Sequence, residues 1–170
     1  MGDIDQFFEL SMSPYPAMEI ALNKSFQRKG AKSNTHVGKE FEKSTMSFFS
    51  KQGLSLEENF SISIGINGTR HHSFDLASLA DKILIECKSH TWTEGDNVPS
   101  AKMTTWDQAM YFFHVAPKGY RKIFFVRKDY SAKRKETLAE YYIRTKSHLI
   151  PTDVEVWEFD EKQKYGKKLN

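Results

Sequence analysis

The segment HHSFDLASLADKILIECKS, residues 71–89, contains two runs of mainly apolar residues joined by a polar turn. The second run, about residues 82–89, has the sequence ILIEC at its centre. Strands that are buried on both faces read as continuous apolar runs, so this run predicts a central strand. The first run, about residues 70–77, is followed by a turn near Ala80 and Asp81. We therefore expect the two strands to form an antiparallel hairpin.

A further strand is predicted directly upstream, at residues 58–66. Its apolar residues alternate with small polar ones, which is typical of a strand with one buried face. The apolar positions are Phe60, Ile62, Ile64 and Ile66. The dipeptide Asn67-Gly68 follows, and both residues tolerate positive φ, so the sequence predicts a tight hairpin into the next strand.

The remaining predicted elements alternate between helix and strand. The apolar spacing predicts helices at residues 36–52, 101–115 and 133–146, and strands at residues 122–127 and 154–159. The resulting order is helix, three strands, helix, strand, helix, strand. This order is typical of an α/β fold with a mixed central β-sheet flanked by helices. Residues 1–34 are predicted to form an N-terminal helical arm, and residues 35–170 a single domain.

Composition excludes several classes of protein. A chain of 170 residues with 39% hydrophobic residues fits one globular domain. It contains no apolar run of 18 residues, so we expect no transmembrane helix and no membrane partner. The start of the chain is acidic and lacks the layout of a signal peptide, so we expect a cytoplasmic location. The single cysteine, Cys87, excludes an internal disulfide and a cysteine-rich zinc site.

Charge alone gives little indication of a partner. The formal net charge of +3 is compatible with nucleic-acid binding but does not argue for it. Basic residues crowd three stretches, residues 24–32, 118–135 and 162–168. A solvated surface explains each stretch as well as phosphate contact does.

The predicted central strand carries two charged residues where an apolar pattern is expected. Glu86 and Lys88 are two positions apart on a strand, so they share a face, whereas Cys87 points to the other. Burying such charges is costly unless they are paired or bind a metal ion. The hairpin brings Asp75 beside Glu86, and a divalent cation relieves the repulsion between two carboxylates. Lys88 is then placed to hold or deprotonate an attacking water, or to neutralise charge in a transition state.

These residues resemble the signature of the PD-(D/E)xK nucleases. S-F-D followed by I-L-I-E-C-K matches its D, E and K at Asp75, Glu86 and Lys88, with Ser73-Phe74 where the family often has proline before the aspartate. The resemblance implies a restriction-endonuclease-like αβββαβ core. The alternative interpretations are that Asp75 is a turn residue and that Glu86 and Lys88 form an exposed ion pair.

Two further motifs extend the resemblance. G-K-E-F-E-K is similar to the leading helix of Mrr-like and restriction-type members, which implies a metal-binding role for Glu42, with Glu40 as the second choice. The two lie about 200° apart on a helix, so they do not both face one site. T-W-D-Q-A-M-Y-F is similar to the helix after the catalytic strand and implies a catalytic role for Gln108. A solvated helix face remains the alternative for Glu42 and Gln108.

Several residues are candidates for contact with nucleic acid. The basic side chains of Lys102, Arg127 and Lys128 are candidates for phosphate contact, and Trp92 and His90 follow Lys88 closely enough to approach a base or sugar. His71 and His72 point to opposite sides of a strand, so at most one faces the cleft, and His72 is chosen. Ordinary surface histidines remain the alternative.

The resemblance implies an endonuclease, of restriction or homing type among others, that hydrolyses DNA phosphodiester bonds with Mg²⁺ or Mn²⁺. Double-stranded DNA and a homodimer are the expected partners, although the residues themselves do not decide between DNA and RNA. Two alternatives remain within nucleic-acid biology: a binding module that has lost cleavage, and a subunit that is active only in a larger complex. A third is a non-enzymatic α/β interaction domain.

Overall fold

The computed structural model describes residues 34–170. The helical arm predicted for residues 1–34 lies outside the described residues, except for Asn34, where the first helix begins. Among the described helices, none is both long enough and apolar enough to cross a membrane.

The described chain contains three α-helices and eight strands. In chain order they are α1 (Asn34–Ser50), β1 (Glu57–Ile64), β2 (Arg70–Ser78), β3 (Ile83–Lys88), α2 (Ser100–Val115), β4 (Arg121–Arg127), β5 (Tyr130–Ser131), β6 (Glu136–Thr137), α3 (Leu138–Lys146), β7 (Val154–Asp160) and β8 (Tyr165–Lys168). A 3₁₀ turn at Ser147–Leu149 follows α3.

Six strands form one mixed sheet in the order β1-β2-β3-β4-β7-β8. The pairs β1–β2, β2–β3 and β7–β8 are antiparallel, whereas β3–β4 and β4–β7 are parallel. The predicted mixed α/β fold is therefore confirmed. Strands β3 and β4 lie at its centre, as the continuous apolar runs predicted.

Alternation along the central strands divides the apolar residues into two cores. Ile83, Ile85 and Cys87 belong to one core, which α1 covers with Phe41 and Phe49. This α1-side core contains a group of aromatic rings tilted against one another around Phe125, whose ring centroid lies 5.2–6.0 Å from those of its α1 neighbours.

The opposite face of the sheet is covered by α2 and α3. Leu84, Phe124 and Val126 point to this face and pack with the buried side of the two helices. Trp106 of α2 and Tyr142 of α3 are completely buried there, with ring centroids 5.1 Å apart. The sheet is therefore enclosed between α1 on one face and α2 with α3 on the other.

Two local predictions were wrong. The tight hairpin predicted at Asn67-Gly68 is a five-residue loop, because Ile64 pairs with Arg70, and the positive φ angles fall at Gly65 and Gly68. The third helix begins at Leu138 and not at residue 133, because β5 and β6 form a short hairpin first.

Strand β8 was not predicted, because its sequence YGKK reads as a polar segment. It pairs with β7 at the edge of the sheet, where lysines on the strand deter further pairing. Gly166 is required by this arrangement, since a Cβ there would lie 2.6 Å from the ring of Phe48.

We expect Phe125→Ala to destabilise the domain by about 3–5 kcal/mol, because it removes a fully buried ring from the centre of the α1-side core. Urea unfolding measures the change. Tyr111→Ala is the matched control, since Tyr111 is 55% exposed and its loss should cost less than about 0.5 kcal/mol. Equal effects of the two substitutions would contradict the described core.

Candidate active site

The backbone pairing between β2 and β3 ends one residue short of Asp75 on β2 and of Glu86 on β3, the two acidic residues predicted for the site. The last pair on that side is Leu76 with Ile85, so the register places Asp75 opposite Glu86. There the carboxylate of Asp75 accepts a hydrogen bond from the backbone N–H of Cys87, with a length of 2.7 Å. Bonds to a strand N–H lie close to the plane of the sheet, so this contact fixes Asp75 at the level of the strands.

The alternation of β2 changes at this point. Phe74 packs in the core on the side of α2, whereas Leu76, two positions later, packs on the side of α1. Asn59, which the register places opposite Asp75, has a φ of 53°. A non-glycine residue in this left-handed region indicates a local irregularity, and such irregularities redirect side chains at the edge of functional sites.

Lys88 lies between the two carboxylates. Its ammonium is 2.8 Å from Oε2 of Glu86 and 3.9 Å from Oδ2 of Asp75. These two oxygens are therefore separated by no more than the sum of the two distances. The structure thus brings together the three residues that the sequence predicted as the catalytic core.

Glu86 is 5% exposed and both of its oxygens have partners. Oε1 is 3.1 Å from Nε2 of His72, and Oε2 accepts from Lys88. Burial alone raises the pKa of Glu86, but the contacts with His72 and Lys88 outweigh it and hold the pKa below its usual value. Glu86 is therefore an ionised carboxylate at neutral pH.

His72 was predicted to contact nucleic acid, and the structure places it behind Glu86. Its ring centroid lies 3.9 Å from that of Phe112 on α2 and 4.8 Å from that of Phe74. Packed in this way, the imidazole orients the carboxylate of Glu86 toward Lys88. Its contact with Glu86 was not expected from the sequence, because the two residues are 14 positions apart.

The pKa of Asp75 is shifted in the opposite direction from that of Glu86. Burial, followed by repulsion from Glu86, raises the pKa of Asp75 to about 6 from its usual value of 3.8. The pKa of Lys88 is also raised, because its attraction to Glu86 and Asp75 outweighs the effect of burial. At neutral pH one ammonium thus faces the buried carboxylate of Glu86 and the half-buried carboxylate of Asp75. Lys88 does not cancel the effects of burial and of Glu86 on the pKa of Asp75.

Asp75 and Lys88 open onto a cleft of roughly 730 Å³. Its walls come from α1, the segment after β3, the first turns of α2 and the end of β4. The residues that line the cleft also include Val37, Gly38, Glu42, Ser89, His90, Thr91, Trp92, Thr93, Pro99, Lys102, Thr105 and Arg127. The carboxylates therefore lie beside a space that is large enough for a segment of a polymeric substrate.

Glu42 is the acidic residue of α1 that faces this cleft. Its side chain is 13% exposed and is held by Lys39 at 2.5 Å. Glu40, the second choice, instead pairs with His36 and is 47% exposed. As predicted from their separation on the helix, the two glutamates do not face the same site, and Glu42 is the one near Asp75.

The donor set suits a hard divalent cation. Carboxylate oxygens are the protein ligands of Mg²⁺ and Mn²⁺, and Mg²⁺ is usually held by one or two carboxylates with water and substrate phosphate completing its shell. Within residues 34–170, no three histidine, cysteine, aspartate or glutamate side chains are grouped closely enough to hold a metal ion. Asp75 and Glu86 are the two neighbouring carboxylates that could share a cation, with Glu42 at the cleft wall, and both oxygens of Glu86 already have protein partners.

The predicted basic residues have different positions. Lys102 is exposed and lines the cleft, as does Arg127. Arg127 is held by Glu161 at 2.6 Å and lies over the ring of Phe41. Lys128 points elsewhere, since it is paired with Asp160 and does not line the cleft. The structure therefore brings two of the three predicted phosphate contacts to the site.

Trp92 lines the cleft but is largely buried. Its backbone N–H and its indole N–H both bind Asp129, at 2.7 and 3.1 Å, and Arg134 lies over its ring. Trp92 therefore anchors the wall of the cleft, and little of its ring is exposed to stack on a base. The anchoring residue, Asp129, was missed because it is 37 positions away in the sequence.

Gln108 is exposed on α2 and does not line the cleft. It lies on the same stripe of the helix as Thr105, which does line the cleft, and Phe112, which contacts His72. Its predicted catalytic role has no contact in this structure to support it.

We expect Asp75→Asn to stabilise the protein at pH 8 in EDTA by on the order of 1–3 kcal/mol. The folded-state pKa of Asp75, about 6, is above its usual value of 3.8, so the folded protein holds this proton more tightly than the unfolded chain does. The stability of the wild type therefore falls as pH rises through this range, and the variant avoids that loss.

Urea unfolding at pH 8 and pH 3 measures the difference, which should become small at the lower pH because Asp75 is then mostly protonated in both the folded protein and the unfolded chain. Glu57→Gln, at an exposed position of β1, should change stability by less than about 0.5 kcal/mol. A variant that is less stable than the wild type at pH 8 would show that Asp75 carries no electrostatic penalty.

Comparisons with known proteins found no relative of this chain. The chain matches no family model, no curated protein and no solved structure.

Proposed function

We propose that this protein is a divalent-metal-dependent endonuclease that hydrolyses phosphodiester bonds of DNA. One observation carries the proposal: the ammonium of Lys88 contacts Asp75, with which it lines an open cleft, and also contacts the carboxylate of Glu86, which is buried behind them. Structural ion pairs are usually placed at the surface, where they cost little. Two acids and one base at a strand end, buried and facing a cleft, are typical of a catalytic site.

The order of elements supports the same proposal. From α1 to β4 the chain runs helix, three strands, helix, strand. This is the αβββαβ order of the restriction-endonuclease-like core, with the acidic residues on adjacent central strands. The proposed family is therefore the PD-(D/E)xK nucleases, and a homodimer acting on double-stranded DNA is the proposed arrangement.

Asp75 and Glu86 would hold Mg²⁺ or Mn²⁺, with Glu42 able to approach from the wall of the cleft. The bound cation supplies a Lewis acid for the phosphate and lowers the pKa of a coordinated water. The protein's contribution is to hold both carboxylates at fixed positions. His72 does this for Glu86, and the backbone N–H of Cys87 does it for Asp75.

Lys88 acts as a charged donor in this proposal. Because its pKa is held above the usual value by Glu86 and Asp75, Lys88 is protonated at neutral pH and does not accept a proton in this state. Its ammonium instead orients a water molecule and stabilises the additional negative charge that develops on the phosphate during the reaction.

Lys88→Gln should reduce the rate of DNA cleavage by about 100-fold or more, because it removes the positive charge while keeping a hydrogen-bond donor. Nicking of supercoiled plasmid in Mg²⁺ and Mn²⁺ measures the rate, with linear duplex and single-stranded DNA as further substrates. Lys118→Gln removes an exposed lysine outside the cleft and should cleave like the wild type. Unchanged cleavage by Lys88→Gln would rule out this mechanism.

Metal binding should depend on the two carboxylates and on pH. We expect Mn²⁺ to bind the wild type at pH 8 in the absence of DNA, and Asp75→Asn or Glu86→Gln to abolish binding, as measured by calorimetry. Below the Asp75 pKa of about 6, protons compete, so the affinity should fall by up to about tenfold per pH unit. Mn²⁺ binding that survives both substitutions would place the metal elsewhere; Glu57→Gln is the control.

A nucleic-acid-binding module without cleavage is the second candidate. It is favoured by the absence of a three-ligand metal group among the described residues and by the pairing of both Glu86 oxygens with His72 and Lys88. This candidate predicts DNA binding that EDTA does not change, together with no nicking in Mg²⁺ or Mn²⁺. A subunit that needs a larger complex predicts metal binding without nicking by the chain alone.

A further inference from the structure

His90 lies in the wall of the cleft, two residues after Lys88, and is half-buried. Its Nδ1 is 2.9 Å from the indole nitrogen Nε1 of Trp106. Trp106 is completely buried in the core under α2. The histidine is therefore attached to the core by one of its ring nitrogens.

This bond determines where the proton of His90 lies. An indole N–H only donates, so Nδ1 of His90 must be the acceptor and carries no hydrogen. A neutral imidazole has a single N–H, which is consequently on Nε2. The two ring nitrogens point in divergent directions, so Nε2 points away from Trp106 and from the core.

The surroundings of His90 keep it neutral. Burial, with smaller contributions from the ammonium groups of Lys102 and Lys88, lowers its pKa to about 4. The other charged groups that line the same cleft are Arg127, Asp75 and Glu42. At the pH of the cell His90 thus presents one uncharged N–H, and the tryptophan fixes which nitrogen carries it.

No acceptor for Nε2–H is found among the described residues, and His90 is one of the residues that line the cleft, together with polar side chains. A donor without an acceptor, near two ammonium groups, is suited to an oxygen atom of an anion. We propose that His90 donates its Nε2–H to a non-bridging oxygen of a backbone phosphate bound in the cleft. This inference rests on the proposed function to the extent that nucleic acid occupies the cleft.

A purely structural role for His90, as an anchor for the segment after β3, requires only the bond to Trp106. His90→Asn separates the two roles. The asparagine Oδ1 is in a position similar to that of Nδ1 and can accept from the indole, but no group replaces Nε2–H. His114→Asn, at an exposed position of α2 that does not line the cleft, is the matched control.

The first measurement is the tautomer. Nitrogen-15 NMR of the imidazole groups, assigned with His90→Asn, should show the Nε2–H form of His90 from pH 5.5 to 8.5. The second is the dissociation constant for a fluorescent DNA duplex in Ca²⁺, measured by anisotropy. His90→Asn should weaken binding by roughly 10- to 100-fold, by the same factor between pH 6 and 8.5, and His114→Asn should not.

An Nδ1–H tautomer would overturn the inference, and so would equal DNA affinity of His90→Asn and wild type. Nicking by the wild type in Mg²⁺ is recorded in parallel to separate this inference from the nuclease proposal. If the wild type nicks DNA and His90→Asn binds DNA as tightly as the wild type, only the role of His90 is excluded. If the wild type binds DNA without nicking it and His90→Asn binds more weakly, only the nuclease proposal is excluded. A wild type that does not bind the duplex removes both.

Discussion

The proposed site depends on the contact of the Lys88 ammonium with the carboxylates of Asp75 and Glu86. This ammonium is the cation that approaches both Asp75 and Glu86, and an unpaired buried carboxylate costs several kcal/mol. The fold supports this contact from both sides. Pairing of β2 with β3 brings the acids together, and the parallel pairing of β3 with β4 holds β3 at the centre of the sheet. The aromatic core under α1 and the buried face of α2 then keep that strand in place.

Much of this arrangement could be predicted from local sequence, because it depends on periodicity. The continuous apolar run of β3 indicated a central strand, and the spacing of Glu86 and Lys88 placed both on one face. What could not be predicted depends on residues far apart in the chain. The contacts of Glu86 with His72 and of Trp92 with Asp129 leave no local pattern, and β8 lacks apolar residues because it is an edge strand. The hairpin before α3 was missed because its charged residues read as a first helical turn.

Several charged residues of the cleft already have partners of the opposite charge. Glu42 is held by Lys39, and Arg127 by Glu161. A phosphate that enters the cleft would therefore exchange partners with Arg127 and would not meet an isolated cation. Such an exchange yields less free energy than the contact alone suggests, because the original ion pair is lost. Lys102, exposed at the rim, has the smaller cost of desolvation, so it is better suited to first contact with the polyanion.

A divalent cation held as proposed by Asp75 and Glu86 would compete with Lys88 for the same carboxylate oxygens. Burial, followed by the charge of Glu86, keeps the pKa of Asp75 raised even with Lys88 beside it, and one ammonium leaves a net negative charge on the two carboxylates. A divalent ion held there would remove that imbalance, and the bond from Lys88 to Glu86 is the protein contact that would have to give way to it. The ammonium released in this way has a new acceptor once phosphate is bound in the cleft. Metal and substrate should therefore favour each other's binding, since each supplies the partner that the other displaces.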